Sequence, residues 1–189
     1  MSKILQFKIT LKGSNPKIWR RFQVEDSFMF YDLHLIIQNV MGWTNSHLYQ
    51  FIYERNSFIG NPELLDADDI ADDKDTVLSA IFDKPKIKMQ YDYDFGDGWG
   101  HELVVEKILE KNPKQFYPFC LKGEMNCPPD DCGGIYGFYD KIDALKNKKH
   151  PDHEDVVEWM GDEYDPESFD LETVNENLKN YTDIDFGSN

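Results

Sequence analysis

The sequence predicts an α+β fold: an antiparallel sheet built from hairpins, a helix across one face and a helical C-terminal segment. Three observations carry this expectation. Polar and apolar residues alternate over 3–11 and 17–25, with the turn residues Gly13-Ser14-Asn15-Pro16 between them. Leu33, Ile36, Ile37 and Val40 recur at helical spacing within Tyr31–Met41, and Gly42 follows where a left-handed cap belongs. Residues 86–110 alternate again around Gly96-Asp97-Gly98, which reads as a central hairpin. The 189 residues are assigned to one domain, with a hairpin sheet and its main helix over 1–112 and a structured loop with helices over 113–189.

In the first hairpin Ile18, Arg20, Phe22 and Val24 share one face, and Trp19, Arg21 and Gln23 share the other. Arg20 and Arg21 therefore diverge, one to the surface and one against an aromatic, which makes a poor phosphate clamp. Ser46–Tyr53 returns to alternation, with His47, Tyr49, Phe51 and Tyr53 on one face. Residues 56–75 read as a solvated acidic loop. The stretch Asp66-Ala67-Asp68-Asp69 lacks the glycine and glutamate of a calcium-binding loop. Asp75 caps a short helix through Phe82, which Pro85 ends.

The register of the central hairpin matters for chemistry. A two-residue Asp97-Gly98 turn places Asp94 opposite His101. A three-residue loop instead pairs Tyr93 with His101, Phe95 with Trp99, Tyr91 with Leu103 and Lys88 with Glu106. The second keeps one face apolar and matches charges, so it is the register expected. It gathers Asp92, Asp94 and Glu102 on the other face, where something positive should sit. Beyond Pro113 the chain is irregular through Gly134. Helices follow at 136–147, at 151–160 with Pro151 in the first turn, and at 171–181 with Val174 and Leu178 inward. Asp183–Asn189 reads as a frayed end.

Net charge is −16, and its distribution is informative. Residues 61–75 hold seven acids and one lysine, and residues 152–172 hold ten acids with no lysine or arginine, which accounts for the whole excess. Such surfaces disfavour nucleic acid and suit a basic protein or peptide partner, or simply keep the protein soluble. No apolar run reaches a membrane span, and the start lacks an export signal. With three cysteines, too few and too odd for a disulfide framework, a reducing cytoplasm is expected. Oligomeric state is not encoded in any pattern here.

The residues that carry candidate chemistry are Asp92, Asp94, Asp97, Trp99, His101, Asp130, Asp131 and Cys132. Two aspartates two apart on a strand point one way, and with His101 they form the expected metal set: Asp92, Asp94 and His101. Oxygen donors with one imidazole suit a divalent metal such as Mg, Mn or Zn. The competing reading is structural: Asp97 makes an Asx turn and Asp94 binds backbone amides around Gly96. Zinc held by Cys120, Cys127 and Cys132, with His150 and His153, would need unusual spacing. A nucleophilic Cys132 would gain from a following helix N-terminus and lose from the two aspartates before it.

Ile18-Trp19-Arg20-Arg21, the run Tyr91–His101 (YDYDFGDGWGH), Pro128–Gly134 (PPDDCGG) and His150-Pro151-Asp152-His153 occur in that order. Together they resemble the plasmid pRiA4b ORF-3-like family, some members of which are labelled transposon passenger proteins or putative resolvases. The resemblance spans nearly the whole chain. It implies a compact α+β domain of bacterial and archaeal type with no established biochemical role and no catalytic residue to carry over. Tyr49 departs from a His-Leu-His order expected of relatives, which thins a metal case built on His47. A serine resolvase needs a nucleophilic serine among arginines and a basic DNA-binding module. Here Ser14 lies in a turn and the C-terminal third is acidic. The function expected is a cytoplasmic protein- or peptide-binding module associated with mobile elements, with a metal-dependent hydrolase using an Asp/His cluster as the alternative.

Overall fold

The computed structural model describes residues 2–54, 57–161 and 163–184. Strands β1 (Lys3–Leu11) and β2 (Trp19–Glu25) form the expected hairpin, with Phe7 opposite Phe22. Helix α1 (Phe30–Met41) ends on Gly42 at φ 98°. Then come β3 (Tyr49–Tyr53), β4 (Ser57–Gly60), the single turn α2 (Pro62–Leu65), β5 (Ala71–Asp72) and a 3-10 turn at Leu78–Ala80. The central hairpin is β6 (Lys88–Tyr93) and β7 (Trp99–Glu110), followed by β8 (Phe119–Glu124). Helices α3 (Gly134–Lys146), α4 (His153–Met160) and α5 (Leu171–Asn177) complete the chain, the last tightening into 3-10 turns at Leu178–Asp183.

The eight strands form one sheet in the order β5-β4-β3-β6-β7-β1-β2-β8, antiparallel except at β4–β5. Leu5, Phe7, Ile9, Phe22, Tyr91, Leu103 and Val105 point to one face and are fully buried with Phe30, Leu33, Ile36 and Ile37 of α1. Each such side chain contributes about 1.5–3 kcal/mol, so this layer dominates the stability of the fold.

Helix α1 is buried on its far side too. Asn39 donates to the carbonyl of Tyr181, and the Tyr181 hydroxyl donates to Asp32. Its inward polar groups are bonded, as burial requires. His34 bonds the Tyr91 hydroxyl and Asn45, while Gln38 donates to Tyr91 and accepts from the Asn45 amide. Arg20, on the core face of β2, donates to the carbonyls of Val40, Trp19 and Glu124 and lies 4.2 Å from the Phe169 ring. Burial lowers its pKa, yet a guanidinium stays charged, and carbonyl oxygens meet that charge. Arg21 faces outward in a bidentate pair with Glu106.

Several expectations are corrected. The acidic stretch 56–75 is not a plain solvated loop. It supplies β4 and β5, with Asn61 capping α2 through the amides of Glu63 and Leu64. Its strands are too short to show a period, and only Ile59 and Gly60 are buried in β4. No side chain caps the 3-10 turn expected to start from Asp75; Val77 precedes it. The irregular stretch after Pro113 hides β8, an edge strand on β2. Pro151 lies in the turn before α4, and the last helix changes pitch after Asn177. Residues 185–189, expected to fray, fall outside the described residues.

Candidate metal centre

The β6–β7 turn is built by Asp94. Its φ of 52° takes it out of the strand, and its Oδ1 accepts the amides of Gly96 (3.0 Å) and Asp97 (3.2 Å). Gly98, also left-handed, donates to the Asp94 carbonyl. The loop therefore spans five residues, and Tyr93 pairs with Trp99, Tyr91 with His101 and Lys88 with Val104. This corrects the expected register by two residues. A shift of two preserves the faces, so the apolar face survives, while Phe95 turns out to solvent.

The Pro128–Gly134 loop docks onto this turn. Asp97 Oδ2 accepts the Gly133 amide at 2.9 Å. Gly134 comes so close that a Cβ there would lie 2.6 Å from the Asp97 carbonyl oxygen. Trp43 Nε1 donates to the Pro128 carbonyl, and Thr44 donates to Asp130 Oδ2 through its amide and hydroxyl. Asp97 thus bridges two loops rather than making the expected Asx turn, and that role falls to Asp94.

Where the loops meet, His47 Nε2 lies 3.3 Å from Asp131 Oδ1 and 3.7 Å from Asp94 Oδ2. The three donor atoms lie within 4.8 Å of one another. His47 Nε2 is buried and makes no hydrogen bond among the described residues. Asp94 is only 6% exposed, and its Oδ2 points to the same spot with no hydrogen-bond donor among those residues. Two donors bound to one ion at about 2.0–2.2 Å lie about 3–3.5 Å apart, so the His47–Asp131 pair already suits a shared cation and the Asp94 oxygen would have to draw in. Asp131 is exposed, which leaves the spot open to solvent.

The set expected from the sequence is not assembled. Asp92 and His101 lie on opposite faces of the sheet, and Asp94 has left the strand. Asp92 is held by Gln90 Nε2 at 2.7 Å and 2.9 Å, and Glu102 pairs with Lys88. The expected positive neighbour is therefore found only at Glu102, while a neutral amide meets Asp92 and the His47 imidazole faces Asp94. His101 is fully buried, its Nδ1 on the Tyr91 carbonyl, and burial pushes its pKa down to about 3. Trp99 is buried beside Trp43, whose ring also contacts His101 edge-on. Asp130 is tied to Thr44, with its Oδ1 buried and unbonded among the described residues.

Cys132 is buried, and burial first, then Asp97, pushes its thiol up to about 12. Burial and the raised thiol both weigh against a nucleophilic role, because the thiolate is the reactive form. Burial raises Cys120 to about 11, and Cys127 is raised as well. No cysteine joins a three-donor cluster among the described residues. His153 Nδ1 sits on the Ala144 carbonyl, away from any thiol. His47 is the ligand that sequence reasoning left out of the expected metal set, on account of Tyr49. It stands just before β3, so alternation gave no sign that it leaves the sheet face. Tyr49, the departure noted above, stacks on His34 inside the core and hydrogen-bonds Asp73.

Comparison with known proteins places this geometry in context. The family model described as plasmid pRiA4b ORF-3-like protein matches residues 3–173. An uncharacterized protein, y4hQ of Sinorhizobium fredii, is 33% identical over 177 residues, covering 93% of this chain and 90% of its own length. The crystal structure of MM3350 from Methanosarcina mazei, a protein of unknown function, superposes with a TM-score of 0.83 at 36% identity. That match covers 90% of this chain and 97% of MM3350.

Proposed function

This chain belongs to the plasmid pRiA4b ORF-3-like family, and from the centre its fold assembles we propose that it binds one divalent metal ion through His47, Asp94 and Asp131 and acts as a metal-dependent hydrolase. The supporting observation is the convergence of three donor atoms from three loops, with the His47 nitrogen buried and lacking a hydrogen-bond partner among the described residues. One imidazole and two carboxylates suit Zn or Mn better than Ca, which takes six to eight oxygens. Three protein donors leave a coordination position open, as in hydrolytic sites, where the cation supplies a Lewis acid and a nucleophile active near neutral pH. Asp94 sets the geometry, because backbone amides fix its Oδ1 and aim its Oδ2.

The test is metal analysis of protein purified without chelator. The expected result is one ion per chain in the wild type and its loss in His47→Ala and Asp94→Asn. Asparagine keeps an oxygen for the two amides, so Asp94→Asn retains the turn while removing the charge. A folded wild type that takes up no Zn or Mn overturns the proposal.

A second reading, a module that binds a basic peptide, is favoured by one feature. Asp140, Asp143, Asp152 and Asp155, with Lys141 and His150, line a groove of about 660 Å³ between α3 and α4. Titration with a lysine-rich peptide separates the two, since only this reading expects metal-free protein to bind it. Free thiols at all three cysteines fit a cytoplasmic setting. Among the described residues no helix is long and apolar enough to cross a membrane. A link to mobile elements rests on family labels alone and plays no part in either reading.

A further inference from the structure

We infer that the substrate meeting this cation is an uncharged or positively charged carbonyl compound, an amide or ester, and not a phosphate ester; this rests on the metal reading above. The loops that build the centre, residues 43–48, 94–98 and 127–134, contain no lysine or arginine. Besides the ligands Asp94 and Asp131 they carry Asp97 and Asp130, so the loops bring four carboxylates to the one divalent cation they would hold. Lys141 brings one cation to these loops, its Nζ donating to the Cys132 carbonyl, against four carboxylates. Phosphoryl transfer relies on several cations to meet the charge on the transferred group. A carbonyl oxygen needs only one Lewis acid. Phe95, in the turn, is 48% exposed, and Tyr136, two residues past Gly134, is 84% exposed. They offer aromatic faces to an organic or cationic substrate.

The reaction balances without a further reagent. The oxygen of water bonds to the carbonyl carbon, the C–N or C–O bond to the leaving group breaks, and a proton from water passes to the departing nitrogen or oxygen.

The test uses cobalt(II)-loaded protein, whose visible spectrum reports ligands entering the metal's coordination. Three hydroxamates share one chelating group: acetohydroxamic acid, glycine hydroxamate with an ammonium group, and phosphonoacetohydroxamic acid. The phosphonate compound is expected to bind at least tenfold more weakly than acetohydroxamic acid, and glycine hydroxamate at least as tightly. Asp97→Asn, which keeps an oxygen for the Gly133 amide, is expected to narrow the gap by strengthening the phosphonate. Equal or tighter binding of the phosphonate, or no spectral change with any of the three, overturns the substrate assignment while the metal reading stands. Protein that takes up no cobalt overturns the metal reading, and the assignment falls with it.

Discussion

Asp97 Oδ2 accepts the backbone amide of Gly133 at 2.9 Å, hooking the turn of one motif onto the loop of the other. Thirty-six residues of chain separate the two, and the same contact brings Asp131 to the side chains of Asp94 and His47. The hook therefore has consequences for both stability and metal affinity.

Asp97→Ala is expected to lower stability by about 1 kcal/mol, the usual net worth of one hydrogen bond, while Asp97→Asn stays close to wild type. Urea midpoints measure the difference. Zinc affinity should fall with it in the alanine variant, because the Asp131 loop loses its tether. Equal affinities in both variants would show that the hook does not position the ligand.

Gly134→Ala should cost more than about 2 kcal/mol. Its φ is 69°, and the added Cβ would strike backbone rather than a movable side chain. Gly42→Ala is the control. It is also left-handed, but a Cβ there meets nothing within 4 Å, so the cost should be about 1 kcal/mol. Thermal unfolding of the pair decides whether close approach or backbone angle governs the Gly133-Gly134 step.

Metal should stabilise the protein by linkage. At one hundred times its dissociation constant, zinc is expected to add about 2.7 kcal/mol to unfolding free energy, and nothing to His47→Ala. An equal gain in that variant would place the ion elsewhere.

Acid should weaken the fold before most carboxylates titrate. Burial holds His34 and His101 neutral, each with its pKa pushed down to about 3. The unfolded chain, with histidine near 6.5, takes the protons first. This contribution to stability is complete above about pH 6.5 and falls as pH drops toward 3, by up to about 1.4 kcal/mol per pH unit for each histidine. Asp73, raised by burial, works the other way as its carboxyl protonates. Urea midpoints at pH 7 and 5.5 check the direction. The slope should fall by about half in His34→Gln, since one of the two groups is gone.

The three thiols should be slow to react. Cys120 and Cys132, raised to about 11 and about 12, and the buried Cys127 should resist a disulfide reagent at pH 8 and titrate as three thiols in denaturant. Fast labelling of native protein would mean a local opening at the Cys132 loop.

What was legible in the sequence was whatever repeats. Alternation marks β1, β2, β6 and β7, and helical spacing marks α1, because each buries one side against the same core. The strands β4, β5 and β8 lie at or near the sheet's margins, where short pairing leaves too few turns of the pattern to read. The hairpin register was missed for a local reason. That Asp94 binds the amides around Gly96 was one of the two readings, but nothing in Tyr-Asp-Tyr-Asp-Phe shows that it turns left-handed and lengthens the loop to five residues. Asp94 and Asp131 were both singled out, but their meeting point depends on a contact between distant loops. His47 joins them only because the chain leaves the sheet before β3 begins.

Strand β1 lies between β2 and β7, and its outer neighbour is set by pairs such as Lys3 with Glu110. A hairpin of β1 and β2 made early must keep its β1 edge bare until the chain reaches β7, and its β2 edge bare until β8. Closure of that circuit, more than formation of any single element, should set how fast the molecule folds, and the waiting edges are where neighbouring nascent chains would stick.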